Sequence, residues 1–83
     1  MVTIKGLVLP AKWDERGKVV AVAIATHDEE EYLVGDKEKG KELLGLTHRQ
    51  VEVVGDVENQ EGKKVVLVRR YGLTNVWDHW TFD

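Results

Sequence analysis

The side chains with the most specific chemistry in this chain are one tryptophan and two groups of basic residues. Trp13 lies close to Lys12 and Arg16 in a polar segment, where its ring could stack on a nucleobase while the cations contact phosphates. The second group comprises Lys63, Lys64, Arg69 and Arg70. Two alternatives stay open: Trp13 folds over one end of the domain, and the basic residues protect an edge strand from aggregation.

Metal-binding and catalytic chemistry have weaker support in the sequence. Residues 27–31 consist of His27 and four carboxylates, but consecutive loop residues rarely converge on one ion, so an acidic solvated turn is favoured. Asp78 and His79 form a local pair, and the chain contains no cysteine or serine that they could activate. We therefore expect no metal, no cofactor and no enzymatic activity.

Length and charge limit the class of protein. The chain has 83 residues, 33% of them charged, with a net charge of -3, which fits one small domain and argues against binding duplex nucleic acid through bulk positive charge. The longest apolar run, residues 19–25, is far shorter than the roughly 20 residues of a membrane helix. The first residues also lack the pattern of a secretory signal, so we expect a cytoplasmic protein without a membrane partner.

Alternating apolar residues predict that strands position these side chains. The predicted strands span residues 2–9, 18–26, 31–34, 48–57 and 63–71. Gly6 separates two alternating sets of apolar residues and predicts a bend with a change of face, and Gly55 predicts a similar bend in the fourth strand. Pro10 is expected to end the first strand, and residues 58–62 to form a turn.

The second strand has a β-branched face and an alanine face. The first comprises Val20, Val22 and Ile24, and the second comprises Ala21, Ala23 and Ala25. We expect the β-branched face to fill the core, which leaves the alanine face outward beneath a ligand, a partner or the protein's own tail. In the third strand we favour the orientation in which the Leu33 side chain points inward and the Tyr32 side chain points outward over the reverse orientation.

A short helix is predicted between the third and fourth strands, over residues 37–44. Asp36 is a suitable N-cap and Gly45 a suitable C-cap. Gly40 makes the helix intrinsically poor, so we expect Leu43 and Leu44 to stabilise it by packing against the end of the sheet.

The predicted order of elements is three strands, one helix and two strands. The segments that form these elements have glycines at characteristic positions. These segments are residues 5–8, 19–25, 32–34, 40–44, 51–57 and 62–68. Together they resemble the small stand-alone bacterial OB-fold proteins, similar to the nucleic-acid-binding OB-fold class. The resemblance implies an all-β, five-stranded OB-like barrel over residues 1–72, with a C-terminal tail over residues 73–83.

The resemblance also implies where a ligand would bind, because that class uses the second and third strands and two flanking loops. Carried onto this chain, the site residues are Lys12, Trp13, Arg16, Tyr32, Asn59, Gln60, Lys63 and Lys64, to which the fifth strand adds Arg69. Two features depart from the class. Tyr32 is the only aromatic residue on the strands of that face, and the acidic segment beside it would repel phosphate.

Two functions follow as expectations. The first is a non-enzymatic module that weakly binds single-stranded DNA or RNA. The alternative is a protein-interaction or self-association module without nucleic acid, in which Trp77, Trp80 and Phe82 of the tail bind the alanine face of the same chain or of a second subunit in a homodimer.

Overall fold

A computed structural model describes residues 1–35 and 38–74. Its elements are β1 Val2–Trp13, β2 Val19–Ala25, β3 Glu31–Val34, a 3-10 helix Glu38–Gly45, β4 Gln50–Gln60 and β5 Lys63–Leu73. The predicted five-stranded order with one short helix is confirmed, although the helix is of the 3-10 type. The predicted N-cap at Asp36 and the predicted docking of the tail, apart from Leu73 and Thr74, lie outside the described residues.

The five strands form a closed barrel in the order β1-β2-β3-β5-β4. β1 pairs with β4 over Val2–Leu7 and with β2 over Leu7–Trp13, so one long strand serves both halves, as the bend at Gly6 predicts. A Cβ atom at Gly6 would overlap the carbonyl oxygen of Ala25, which explains why glycine occupies the bend. The resulting architecture is an all-β, OB-like barrel.

The prediction that the inward-facing apolar residues of β1 change parity at Gly6 is wrong. Ile4 and Val8 both lie in the core, whereas Leu7 and Leu9 are half-buried on the outer face. The bend is made by close approach of two strands without an inserted residue, and the register shifts of β1 occur later, between Pro10 and Trp13. Pro10 does not end the strand, because this part of β1 pairs with β2 on one side only and tolerates a residue without an N–H group.

The core is aliphatic and lies inside the barrel. Its members are Ile4, Val8, Val22, Ile24, Val34, Leu43, Val51, Val53, Val66 and Val68. The inward placement of Val22 and Ile24 is confirmed, but Val20 is 46% exposed, because β3 pairs only with Ala23–Ala25 and leaves the start of β2 uncovered. The outer alanine face is also less open than expected, since Ala23 is buried.

The preferred orientation of β3 is wrong. Tyr32 pairs with Ile24 and Val34 pairs with Val66. Paired residues share a face of the sheet, and both partners lie in the core, so Tyr32 points inward and Leu33 outward. The alternative orientation of the third strand is therefore the observed one.

The strand pairing is irregular near Gly55, where a bend was predicted. The extra residue lies on β5, the strand that pairs with β4. Val54 and Gly55 are consecutive on β4, yet they face residues of β5 that are two positions apart. Arg69 is the extra residue of this β-bulge. The bulge changes the alternation of β5 and allows Tyr71 to pack against the core together with Val68.

The 3-10 helix closes one end of the barrel. Leu43 is completely buried, and Leu44 packs against the core, as predicted. The Tyr71 hydroxyl donates a 2.8 Å hydrogen bond to Glu42 Oε1 and ties the helix to β5. Gly40 is required by space, because a Cβ atom there would overlap the carbonyl oxygen of Gly35.

Candidate functional site

A groove of about 550 Å³ lies on the outer face of the barrel. Its floor is formed by Leu9, Ala23 and Leu33, which are cross-strand neighbours on β1, β2 and β3. One wall is the end of β1, residues 10–12, and the other is the start of β5 with its preceding turn, residues 62–64. Three strands and two hairpins thus build a concave, apolar surface between walls that carry lysines.

The first wall is stabilised by a well-ordered hairpin turn. Asp14 Oδ1 accepts hydrogen bonds of 2.9 Å from the backbone N–H groups of Arg16 and Lys18. Gly17 adopts a φ of 83°, a conformation that glycine adopts without steric cost. This turn fixes the end of β1 and therefore the position of Lys12 beside the floor.

The second wall is a tight β-hairpin. Glu61 and Gly62 both have positive φ, 53° and 81°, as expected for a two-residue turn of a hairpin. β4 therefore continues to Gln60, and the predicted loop residues Asn59 and Gln60 belong to a strand. Lys63 lies two residues from Val65, which pairs with the outward-facing Leu33, so alternation places Lys63 on the groove side.

The lysines of the groove differ in their ion pairing. Lys64 Nζ lies 2.9 Å from Glu30 Oε2, and the hydrogen bond to Glu30 raises the pKa of Lys64 above its ordinary value. Among the described residues, Lys12 and Lys63 make no ion pair. The cations available to a ligand in the groove are therefore chiefly Lys12 and Lys63.

Acidic residues border the same groove. Glu30 and Glu31 line it, and they follow a turn in which the Thr26 N–H donates to the Glu30 carbonyl at 2.9 Å. The Thr26 hydroxyl also donates to the Asp28 carboxylate, and this hydrogen bond lowers the pKa of Asp28 below its ordinary value. The ordered acidic turn brings negative charge near the two lysine walls.

Tyr32 does not line the groove, although it was predicted as the aromatic residue of the ligand face. Its ring lies 5.5 Å, measured to the centroid, from Lys64 Nζ, a cation–π contact. It lines a separate depression of about 350 Å³ together with Thr26 and Asp28. Tyr32 lies outside the groove because its side chain points toward the interior of the barrel.

The remaining predicted residues are divided between the groove and other surfaces. Trp13 is 57% exposed and adjoins Lys12 at the end of β1. Arg16 is exposed in the hairpin turn and does not line the groove. Arg69 lies at the bulge, where its Nε and Nη2 atoms donate to Asp56 Oδ2 at 3.2 and 3.1 Å. The groove thus contains Lys12, Lys63 and Lys64, with Trp13 beside it.

A second depression of about 580 Å³ extends the apolar surface. It shares Lys12 and Leu33 with the groove and adds Val20, Ala21 and Leu67. The sequence interpretation missed Leu9 and Leu33 as floor residues. Val8, which keeps the alternation of Ile4 unbroken, is the signal that places Leu9 outward.

Comparisons with known proteins give no relative: no family model, no curated protein and no solved structure matches this chain. Within residues 1–35 and 38–74, no group of three or more potential metal-ligating side chains occurs. No helix in the same ranges has the length and apolar character needed to cross a membrane.

Proposed function

We propose that this protein is a non-enzymatic OB-like module that weakly binds single-stranded DNA or RNA in the groove. The observation that carries the proposal is the placement of Lys12 and Lys63, which make no ion pair within residues 1–35 and 38–74, on opposite walls of an apolar floor. A single strand can place phosphates near the walls and base faces on the floor. Trp13 adds an exposed ring for stacking next to one wall.

The charges of the groove determine how tight this binding is. Of the three lysines that line the groove, two make no ion pair with the described residues, and Glu30 and Glu31 lie in the same lining. Counterion release contributes in proportion to the number of neutralised phosphates, so the affinity is expected to be low. An extended single strand fits this arrangement better than a duplex, which needs many more phosphate contacts.

The test is a titration of a fluorescently labelled single-stranded oligonucleotide at low salt, with a duplex of the same sequence for comparison. The double variant Lys12→Gln and Lys63→Gln should lose most of the binding. Lys41→Gln is the matched control, because Lys41 is an exposed lysine on the 3-10 helix and does not line the groove. Absence of single-strand binding by the parent protein at low salt would overturn the proposal.

A second candidate function is a protein-interaction or self-association module, and one observation favours it. The floor consists of aliphatic residues, and no aromatic residue is among the described residues that line the groove, since Tyr32 points inward. Aliphatic floors with mixed-charge rims suit polypeptide partners as well. A dimer mass in light scattering, together with no oligonucleotide binding, would select this function over the first.

A further inference from the structure

A strip of apolar side chains on the outer face of the barrel begins at Leu7, two strands from the end of the described chain, and leads to the groove. The Thr74 N–H donates a 3.0 Å hydrogen bond to the Gln50 carbonyl. Gln50 pairs with Leu7, which in turn pairs with Ala25. The half-buried Leu7 and Ala25 share the outer face of the barrel with the groove floor, so an apolar path to the groove begins one strand beyond Gln50.

The chain after Thr74 is long enough to follow this path. Three strand spacings separate Thr74 from Ala25, which corresponds to about 14 Å. Nine residues follow Thr74 in the sequence, and an extended chain of that length spans about 30 Å. The segment 75–83 is therefore long enough to span the distance to Ala25 and on across the neighbouring Ala23 to the groove.

The composition of residues 75–83 complements that of the groove. The segment contains two tryptophans, one phenylalanine and two aspartates, and it contains no lysine or arginine. The groove offers an aliphatic floor and the lysines Lys12 and Lys63, which have no ion pair among the described residues. Glu30 and Glu31 repel carboxylates at one end of the groove, which leaves the lysine walls as the place for the aspartates.

We propose that residues 75–83 bind the groove of their own chain, with the aromatic side chains on the floor and the aspartates near Lys12 and Lys63. The segment then occupies the surface assigned above to nucleic acid, so a ligand must displace it. The proposal depends on the geometry of the groove and does not require that nucleic acid binds there.

Tryptophan fluorescence of the 83-residue protein tests the docking directly. The variant Trp13→Phe leaves Trp77 and Trp80 as the only tryptophans. In this background, Leu33→Lys places a charge on the floor and should shift the emission maximum to longer wavelength, because the rings become exposed to water. Val2→Lys is the matched control, since Val2 is an exposed aliphatic residue outside the groove, and it should leave the emission unchanged.

Further variants in the Trp13→Phe background test the charge complementarity. Lys12→Glu with Lys63→Glu should also shift the emission to longer wavelength, whereas Lys41→Glu should not. Circular dichroism of every variant establishes that the barrel remains folded. The proposal is overturned if the parent already shows the emission of fully hydrated tryptophan, or if the folded groove variants have the parent's spectrum.

Light scattering over a range of protein concentrations separates binding within one chain from exchange between two chains. A monomer with the short-wavelength emission supports the proposal. A dimer that dissociates in the Leu33→Lys variant would show that the segment binds a second copy, which overturns the intramolecular arrangement. No oligonucleotide is present in these measurements, so their outcome is distinguishable from failure of the proposed nucleic-acid function.

Discussion

At the scale of single residues, Trp13 combines a large ring with high exposure beside Lys12, which makes no ion pair with the residues that the structure describes. The ring contributes little to the core, since Trp13 is absent from both the core and the residues that pack against it. An exposed ring outside the core is what the proposed stacking role of Trp13 requires. Tyr32 shows the opposite behaviour, because it packs against the core.

Replacement of Trp13 by alanine is expected to weaken binding of a single-stranded oligonucleotide with little change in stability. Loss of one stacked base costs about 1 to 3 kcal/mol, or roughly a 5- to 150-fold increase in Kd. Fluorescence anisotropy measures the affinity and urea unfolding the stability. Tyr32→Leu is the comparison: it should lower stability and leave affinity unchanged, and an equal loss of affinity in both variants would contradict the assignment.

Replacement of Gly6 by alanine should destabilise the barrel. The added Cβ would overlap the Ala25 carbonyl oxygen and approach the Ile24 side chain, so β1 and β2 must separate, and such overpacking typically costs about 1 to 3 kcal/mol. Gly72→Ala is the control, because the corresponding position has no neighbouring atom within 4 Å. Equal stability of the two variants in urea unfolding would show that the close approach at Gly6 is unimportant.

At the scale of elements, the 3-10 helix depends on its contacts with the barrel. Its sequence includes Gly40 and it is only eight residues long, so intrinsic propensity contributes little. Leu43 supplies the buried side chain, and the hydrogen bond from Tyr71 to Glu42 supplies a polar connection at the surface. Each of these contacts can be removed separately.

Leu43→Ala should lower the free energy of unfolding by about 2 to 5 kcal/mol, because a fully buried leucine is lost from the core. Leu73→Ala serves as the control, since Leu73 is 50% exposed and surface substitutions usually change stability by less than about 0.5 kcal/mol. Chemical denaturation measures both. A loss below 1 kcal/mol for Leu43→Ala, on the same scale, would show that the helix does not close the core.

The hydrogen bond between Tyr71 and Glu42 predicts a pH dependence of stability. The Tyr71 hydroxyl lowers the pKa of Glu42 below its ordinary value of 4.5. A carboxyl with a lowered folded-state pKa stabilises the protein above its unfolded-state pKa, and this contribution disappears as the pH falls through the folded-state value. Thermal unfolding between neutral and acidic pH should therefore show a smaller pH dependence for Glu42→Gln than for the parent protein.

The control for this comparison is Glu15→Gln, in the exposed β1–β2 hairpin turn. It should retain the acid-side loss of stability that is due to Glu42. Tyr71→Phe should reproduce the effect of Glu42→Gln, because it removes the donor and keeps the ring. If neither variant changes the acid-side slope, the hydrogen bond contributes nothing to stability.

The order of elements could be predicted from the sequence, whereas the orientation of several strands could not. Alternation of β-branched and small residues identifies β2, and Leu43 with Leu44 identifies the docked helix. In β3 the residues Tyr32, Leu33 and Val34 are all apolar, so the pattern contains no contrast that distinguishes the two faces. Their orientation depends on pairing with β2 and β5, which alternation within one strand does not encode.

The candidate site was predictable to the extent that it follows from topology. Lys12, Lys63 and Lys64 lie at the groove because the β1–β2 and β4–β5 hairpins flank the same face of the barrel. The bulge that removes Arg69 from this arrangement and directs it to Asp56 is a departure from regular pairing. A single inserted residue leaves no distinctive pattern in β5, where residues 65–68 are all apolar and two consecutive arginines follow them.

At the scale of the whole molecule, the net charge of -3 works against any polyanion. The proposed binding through the groove must rely on local cations, and two of the lysines that line it make no ion pair in the described part of the chain. The logarithm of the association constant should then fall with the logarithm of salt concentration with a slope of about -1.4, which is about 0.7 for each of two phosphates on a single strand. Titrations at several salt concentrations measure this slope, and a value steeper than about -4 would require cations outside the groove.

The barrel is closed by the shortest of its strand contacts. β3 and β5 run parallel and pair through only two positions, Leu33 with Val65 and Val34 with Val66, whereas β4 and β5 pair through ten. Local opening of the native state should therefore begin at this seam. Leu33 also forms the edge of the groove floor next to β5, so a segment or ligand that fills the groove from wall to wall lies across the seam and should hold it shut. Slower amide hydrogen exchange in β3 would then report occupancy of the groove, whatever molecule fills it.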